Sequence, residues 1–187
     1  MRKEGEVTEV GTIISETKAL DNKFFPVIER VIQTPDGETR EPQLLWDRSG
    51  KTFAVAIART LEGKFVFIRE PKYGQMRKML VLPTGAVKKN ETPKQAADRE
   101  FTEETGYKVE NWVQLRENPV VDFADKTDGG EHYFFLGVDA VKVGEPEKFR
   151  EVVLRWNPDE IIAEMEIAIS IAGFMMAIKY GSVLKKS

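Results

Sequence analysis

The 187 residues, 41% hydrophobic and 32% charged, have the balance of one folded, soluble domain with a small appendage, which excludes a disordered or membrane-embedded chain. With 28 basic against 31 acidic residues the net charge is −3, so no global positive field draws in nucleic acid, and nucleic acid is not an expected partner. There is no cysteine and one histidine, His132, which leaves no disulfide, no thiolate chemistry and no histidine-rich metal centre; any metal would sit on oxygen ligands, and the composition suits a reducing cytoplasm.

The charged start Met1-Arg2-Lys3-Glu4-Gly5-Glu6 lacks the apolar run of a secretory signal. Short β-prone runs follow, Val7 to Ser15 and Phe24 to Gln33, and Thr34-Pro35-Asp36-Gly37 supplies turn chemistry for a hairpin, so residues 1–49 read as an antiparallel β extension. Asp47-Arg48-Ser49-Gly50 reads as a polar break, after which Phe53 to Ala58 is a buried strand opening a second domain, 50–187. Leu61-Glu62-Gly63-Lys64 is a turn, and Phe65 to Glu70 returns as the paired strand. A basic loop, Lys72 to Lys78, leads to a short strand over Met79 to Leu82, and Gly85 opens a polar loop.

Thr92 then predicts a helix start, with Pro93 at the first helical position, Gln95 closing a capping box and Gly106 as the stop. Further strands are expected at Val109 to Leu115, His132 to Val138 and Val152 to Trp156, with a loop from Asp122 to Glu131 between the first two, so the sheet is mixed. Asn157-Pro158-Asp159-Glu160 starts another helix, and Ser170 is a candidate cap for a last one ending at Gly181. The apolar stretch Ile161 to Tyr180 is broken by Glu164, Glu166, Ser170 and Gly173, which argues for buried helix and against a membrane span.

The chemistry concentrates on the helix between Thr92 and Tyr107. Glu100, Glu103, Glu104 and Tyr107 follow at spacings of three, four and seven, so a 3.6-residue turn places three carboxylates along one stripe, with Phe101 pointing sideways to the core. Like charges at such spacings cost about 0.2–0.5 kcal/mol per pair, which a bound cation reverses. An acidic stripe alone is most often a solvated face. Here its surroundings are specific: Gly85, five residues, Glu91, seven residues, then Arg99-Glu100-Phe101-Thr102-Glu103-Glu104-Thr105-Gly106-Tyr107.

That pattern over 23 residues resembles the box of the Nudix hydrolases, every fixed position being filled and only Tyr107 standing where an aliphatic residue is usual. The resemblance implies a Nudix fold, in which a mixed β-sheet is sandwiched between helices, here with the N-terminal antiparallel β extension. It implies magnesium, with manganese as a substitute, held by Glu100, Glu103, Glu104 and the carbonyl of Thr84. Arg99 would orient the glutamates, Glu91 would support them, and Gly85 and Gly106 would complete the motif. The base that takes a proton from the attacking water would be a box glutamate, Glu103 or Glu104, or one from a later loop, where Glu145, Glu147 and Glu151 are the candidates.

Several features resemble the ADP-ribose and nucleoside diphosphate sugar pyrophosphatase branch: the β-rich extension, Arg69 at the end of the strand before the box, and Leu82-Pro83-Thr84-Gly85 leading into it. That branch implies cleavage of the diphosphate of a nucleoside diphosphate derivative to a nucleoside monophosphate and a sugar phosphate, by a homodimer joined through the extension. Val81, Thr84 and the early Pro119 depart from the branch's usual residues, which sets a nucleoside diphosphate sugar beside ADP-ribose. For the substrate, Arg69, Arg48 and Arg30 are candidates for phosphate and Phe25 for the base. The same box would serve hydrolysis of nucleoside triphosphates, dinucleotides or RNA caps, or a non-catalytic nucleotide-binding regulator, though regulators usually lose box glutamates.

Overall fold

A computed structural model of the chain describes residues 3–184; Met1 and Arg2 of the charged start and the last three residues of the 50–187 domain lie outside it. The strands are β1 (Val7–Thr8), β2 (Gly11–Leu20), β3 (Val27–Gln33), β4 (Gln43–Thr60), β5 (Phe65–Lys72), β6 (Arg77–Val81), β7 (Thr84–Ala86), β8 (Tyr107–Lys108), β9 (Trp112–Gln114), β10 (Val120–Val121), β11 (Thr127–Lys142) and β12 (Glu151–Arg155). The helices are α1 (Pro93–Thr105), α2 (Pro158–Glu164) and α3 (Ala168–Leu184), and the strands join in one large mixed sheet. No helix among the described residues is long and apolar enough to cross a membrane.

The chain divides into two compact units, residues 1–51 with 121–131, and residues 52–120 with 132–187. The first is the expected β extension joined by a segment from much later in the chain. Its strands form an antiparallel meander, β2 on β3 with Thr12 opposite Gln33, and β3 on the start of β4 with Val27 opposite Trp46. The turn after β3 closes as Thr34-Pro35-Asp36-Gly37 predicted, with the Gly37 N–H donating to the Thr34 carbonyl at 2.9 Å.

In the second unit β5 is central, flanked by β4, β6 and β12. Alternation along β4 sends Ala54, Ala56 and Ala58 to one face and Val55 and Ile57 to the other. The alanine face meets Ala96, Ala97 and Phe101 of α1, and the small side chains on both elements let the helix lie close to the sheet. The opposite face packs Phe65, Phe67, Leu82 and Phe134 against Ile161 of α2 and Phe174 of α3. The sheet of this unit therefore carries helices on both faces, and each fully buried aromatic among these stabilises it by about 1.5–3 kcal/mol.

Four expectations are corrected. The polar residues Asp47 to Gly50 do not break the strand, because the Trp46 and Asp47 N–H groups keep partners in the Lys126 and Pro26 carbonyls and Ser49 and Gly50 are exposed, so polarity costs nothing. The loop expected over Asp122 to Glu131 ends early, since β11 already begins at Thr127. The strand expected from Val109 to Leu115 shortens to β9, Trp112–Gln114, and β8 lies before it; between the two, β11 carries Asp139, whose left-handed φ of 57° interrupts the ladder. Ser170 does not cap: α3 starts before it, Ser170 is buried, and its hydroxyl accepts from the Leu82 N–H at 3.3 Å; Gly181 lies within the helix and does not end it.

Candidate active site

The α1 helix forms where its local signals place it. The Thr92 hydroxyl accepts from the Gln95 N–H at 3.2 Å and the Gln95 side chain accepts from the Thr92 N–H at 2.8 Å, satisfying two donors that the first turn would orphan. At the other end Gly106 adopts φ 69°, and its N–H reaches the Thr102 carbonyl. A side chain at Gly106 would also collide with the Gly144 carbonyl oxygen, 2.3 Å from an ideal Cβ, so the loop after β11 docks directly on the helix end. Phe101 is fully buried, edge-on to Trp112 at 5.3 Å, and this contact fixes the rotation of the helix that presents Glu100, Glu103 and Glu104.

Gly85 lies in β7, whose Thr84, Gly85 and Ala86 pair with Val55, Ala54 and Phe53 of β4; this short strand was expected as loop. The glycine is required by a close approach, for an ideal Cβ would stand 1.9 Å from the Glu100 Cδ. Backbone and carboxylate are thereby brought together. The neighbouring Thr84 N–H donates to Glu104 Oε2 at 3.1 Å, so the strand end before α1 holds the two outer glutamates of the stripe.

Arg99 organises the rest. Its Nε and Nη2 donate to the two Glu91 oxygens at 2.8 and 3.0 Å, a bidentate pair, while Nη1 donates to Glu100 and, at 3.2 Å, to Glu103, and Nη2 also reaches the Ala86 carbonyl at 3.1 Å. The hydrogen bond from Arg99 holds the Glu91 carboxyl down at about 2, and Glu91 in turn keeps the guanidinium protonated above its ordinary range. The stripe is ordered by one cation and its own backbone.

Glu104 differs from its neighbours in being 3% exposed. Burial pushes its carboxyl up to about 8, with the negative charges of Glu70 and Glu100 adding to the effect and Arg150 and the Thr84 N–H opposing it. Arg150 Nη2 donates to Glu104 Oε1 at 2.6 Å, Nη1 pairs with Glu147, and Nε stands 3.3 Å from Glu70 Oε2. Neither Arg150 nor Glu70 is singled out by sequence reasoning. Glu70 is one of four half-buried residues closing an ordinary strand, and Arg150 is 46 residues from the carboxylate it meets, so no local pattern marks either.

Of the later glutamates, Glu147 is brought to the helix: its N–H donates to the Glu103 carbonyl at 2.9 Å and its side chain shares Arg150 with Glu104. Glu145 pairs with Lys142 on the surface. Glu151 lies across β12 and β5 from Arg69, 3.5 Å from its Nη1, and Arg69 also pairs with Glu164. In the first unit, Arg30 is buried between Glu16 at 2.6 Å and Asp128 at 2.9 Å, and Arg48 is buried with Asp122 at 2.7 Å. Those two guanidinium groups serve internal carboxylates, and binding phosphate would require them to leave these partners. Phe25 is half exposed and stacks on Trp46 with centroids 4.5 Å apart. His132 is buried and stacks on Phe53, as a structural histidine would.

The oxygen-only donor set of Glu100, Glu103, Glu104 and the Thr84 carbonyl suits a hard divalent cation, and the Gly85 approach keeps room beside Glu100. Among the described residues no three carboxylate or imidazole groups already converge on one point, and the positive charge that Glu100 and Glu104 face is that of Arg99 and Arg150. The donors fit; side-chain rotation would bring them together.

A family model described as the NUDIX domain matches residues 50–172. The chain belongs to the Nudix family. With the box complete it is a Nudix pyrophosphatase, a hydrolase of phosphoanhydrides, and Nudix enzymes generally use divalent metals. It is 24% identical over 162 residues to the ADP-ribose pyrophosphatase of Bacillus subtilis (strain 168), covering 85% of this chain and 79% of that protein. Its fold is similar to the crystal structure of an ADP compounds hydrolase, with a TM-score of 0.84, 13% identity, and coverage of 97% of this chain and all of the other.

Proposed function

We propose that this Nudix hydrolase cleaves the diphosphate bond of a nucleoside diphosphate derivative, ADP-ribose or a nucleoside diphosphate sugar, in a magnesium-dependent reaction giving a nucleoside monophosphate and a sugar phosphate. The observation that carries this reading is the packing of Gly85 against Glu100 together with the ordering of Glu100 and Glu103 by Arg99. It turns the box from a sequence pattern into a bank of aligned carboxylates. The similarity to a protein named ADP-ribose pyrophosphatase, over most of both chains, supports the substrate class.

A bound divalent cation would neutralise phosphate charge and lower the cost of attack by water, and manganese would serve in place of magnesium. The protein's share is to hold Glu100, Glu103, Glu104 and the Thr84 carbonyl toward that ion, with Arg99 and Glu91 fixing the first two. Water adds across the P–O–P bridge, its proton passing to a carboxylate and the bridging oxygen leaving with one phosphate. Glu147 is favoured for that carboxylate over Glu151, because it sits against Glu103 and shares a partner with Glu104, whereas Glu151 is committed to Arg69. Arg69, within β5 beside Glu70, is kept as a phosphate contact in this reading, and Phe25, whose ring is half exposed, as a base contact.

The test is a panel of ADP-ribose, nucleotide sugars, dinucleotides and nucleoside triphosphates, each with and without magnesium, with products separated. Magnesium-dependent release of AMP and ribose 5-phosphate, or of a nucleoside monophosphate and a hexose phosphate, is the expected result. Turnover of triphosphates alone would overturn the substrate class. A homodimer through the 1–49 extension and a cytoplasmic location complete the reading; light scattering on the purified protein checks the first, and the cysteine-free composition supports the second.

A further inference from the structure

Glu104 is the most buried carboxylate of the stripe, and among the described residues its one cationic partner is Arg150, 2.6 Å from Oε1, while Oε2 is taken by the Thr84 N–H. We infer that Arg150 is a built-in counter-ion that holds Glu104 closed, and that a divalent cation binds the box by displacing this guanidinium. Arg150 is then a positioning residue that sets how tightly the metal is held. This inference rests on the metal reading of the box given above.

The geometry provides both places for the guanidinium. In its observed place it bridges Glu104, Glu70 and Glu147, three carboxylates from α1, β5 and the loop before β12. Glu147 is half exposed and Arg150 itself is 23% exposed, so the side chain can swing toward solvent while keeping its Glu147 arm. The backbone need not move with it. The Val143 and Gly144 N–H groups are tied to the Gly106 carbonyl at 2.8 and 3.0 Å, and the Glu147 N–H to the Glu103 carbonyl.

Moving outward costs the guanidinium its contacts with Glu104 and Glu70 in a largely buried place, so the outward rotamer is scarce until another cation arrives. When a ligand binds only a minor state, its apparent affinity falls by the fraction of that state. Removing the competing guanidinium should therefore tighten metal binding, the reverse of what a residue that merely supports the site would do.

The experiment is a Mn2+ titration without substrate, followed by electron paramagnetic resonance of the free ion, on the parent protein, Arg150→Gln and Arg150→Lys. The inference expects Arg150→Gln to bind Mn2+ about tenfold more tightly than the parent. Arg150→Lys, which keeps a competing charge, should stay close to the parent. Equal or weaker binding by folded Arg150→Gln, or equal tightening in Arg150→Lys, overturns the inference while leaving the metal reading standing. No Mn2+ binding by the parent overturns both. Should Arg150→Gln not fold, the parent alone decides: arginine side-chain resonances assigned to Arg150 should shift and gain solvent exchange at saturating Mg2+, and a guanidinium still protected there ends the proposal.

Discussion

The two units each contain buried guanidinium–carboxylate networks, and they differ in charge balance and access to water. In the first, Arg30 and Arg48 face Glu16, Asp128 and Asp122, and both arginines are nearly sealed from solvent. In the second, Arg99 and Arg150 serve Glu70, Glu91, Glu100, Glu103, Glu104 and Glu147, and the network opens to solvent at Glu103 and Glu147. A near-balanced, sealed cluster ties strands and a distant segment together. An open cluster with a surplus of carboxylates is built to receive a further cation. Counting charges and exposure thus separates scaffold from site where burial alone would not.

The largest effect that would break this contrast is at Glu104. Glu104→Gln should lower kcat/KM by about 10²- to 10³-fold, measured on the best substrate of the panel with magnesium, while the circular dichroism spectrum stays that of the parent. Its stability has the opposite sign. The folded carboxyl is raised from 4.5 to about 8, so in metal-free protein its contribution is full below about pH 4.5 and is lost as pH rises through 8. The metal-free variant should accordingly lose less stability than the parent between pH 5 and 8, read by chemical denaturation.

Next comes the sealed cluster. Arg30→Ala leaves Glu16 and Asp128 buried without their shared cation and should destabilise the protein by about 3–5 kcal/mol in a urea titration. Arg99→Ala should cost less stability, because its network reaches water, and more activity. If Arg30→Ala proved neutral, the first cluster would not be scaffold in this sense. Gly85→Ala follows, with about 10²-fold loss of kcat/KM and an unchanged melting profile, since the clash falls on the flexible end of Glu100 and the reacting geometry shifts while the core does not.

The smallest effect is on acid stability. Arg99 holds Glu91 at about 2 instead of 4.5, so the pair stabilises the fold above about pH 4.5 and that contribution disappears as pH falls toward 2. Glu91→Gln should flatten the acid limb of the stability profile in that window, read by fluorescence-detected unfolding, with the limb above pH 5 little changed in shape.

Much of α1 and its chemistry was legible in the sequence because the determinants are local. Thr92, Pro93 and Gln95 start the helix, Gly106 ends it, and intervals of three and four residues set the acidic stripe by helical geometry alone. The Arg99–Glu91 pair is eight residues apart and spans a single loop-to-helix unit. The family followed from the same short segment.

Tertiary structure decided what depends on segments meeting from afar. Arg150 reaches Glu104 across 46 residues, and Arg30 reaches Asp128 across 98, so neither partner is marked by any periodicity near it. Ser170, a cap by its residue type, became a buried acceptor for Leu82 across 88 residues, because the packing of Phe174 and Ala177 against the sheet set where α3 begins. Asp47 to Gly50 read as a break and remained strand, since ladder hydrogen bonds from flanking backbone outweigh the weak preference of four polar side chains. Hydrogen-bond geometry within a turn or a helix is written residue by residue. The pairing of buried charges is written only where the folded backbone brings them within a few ångströms.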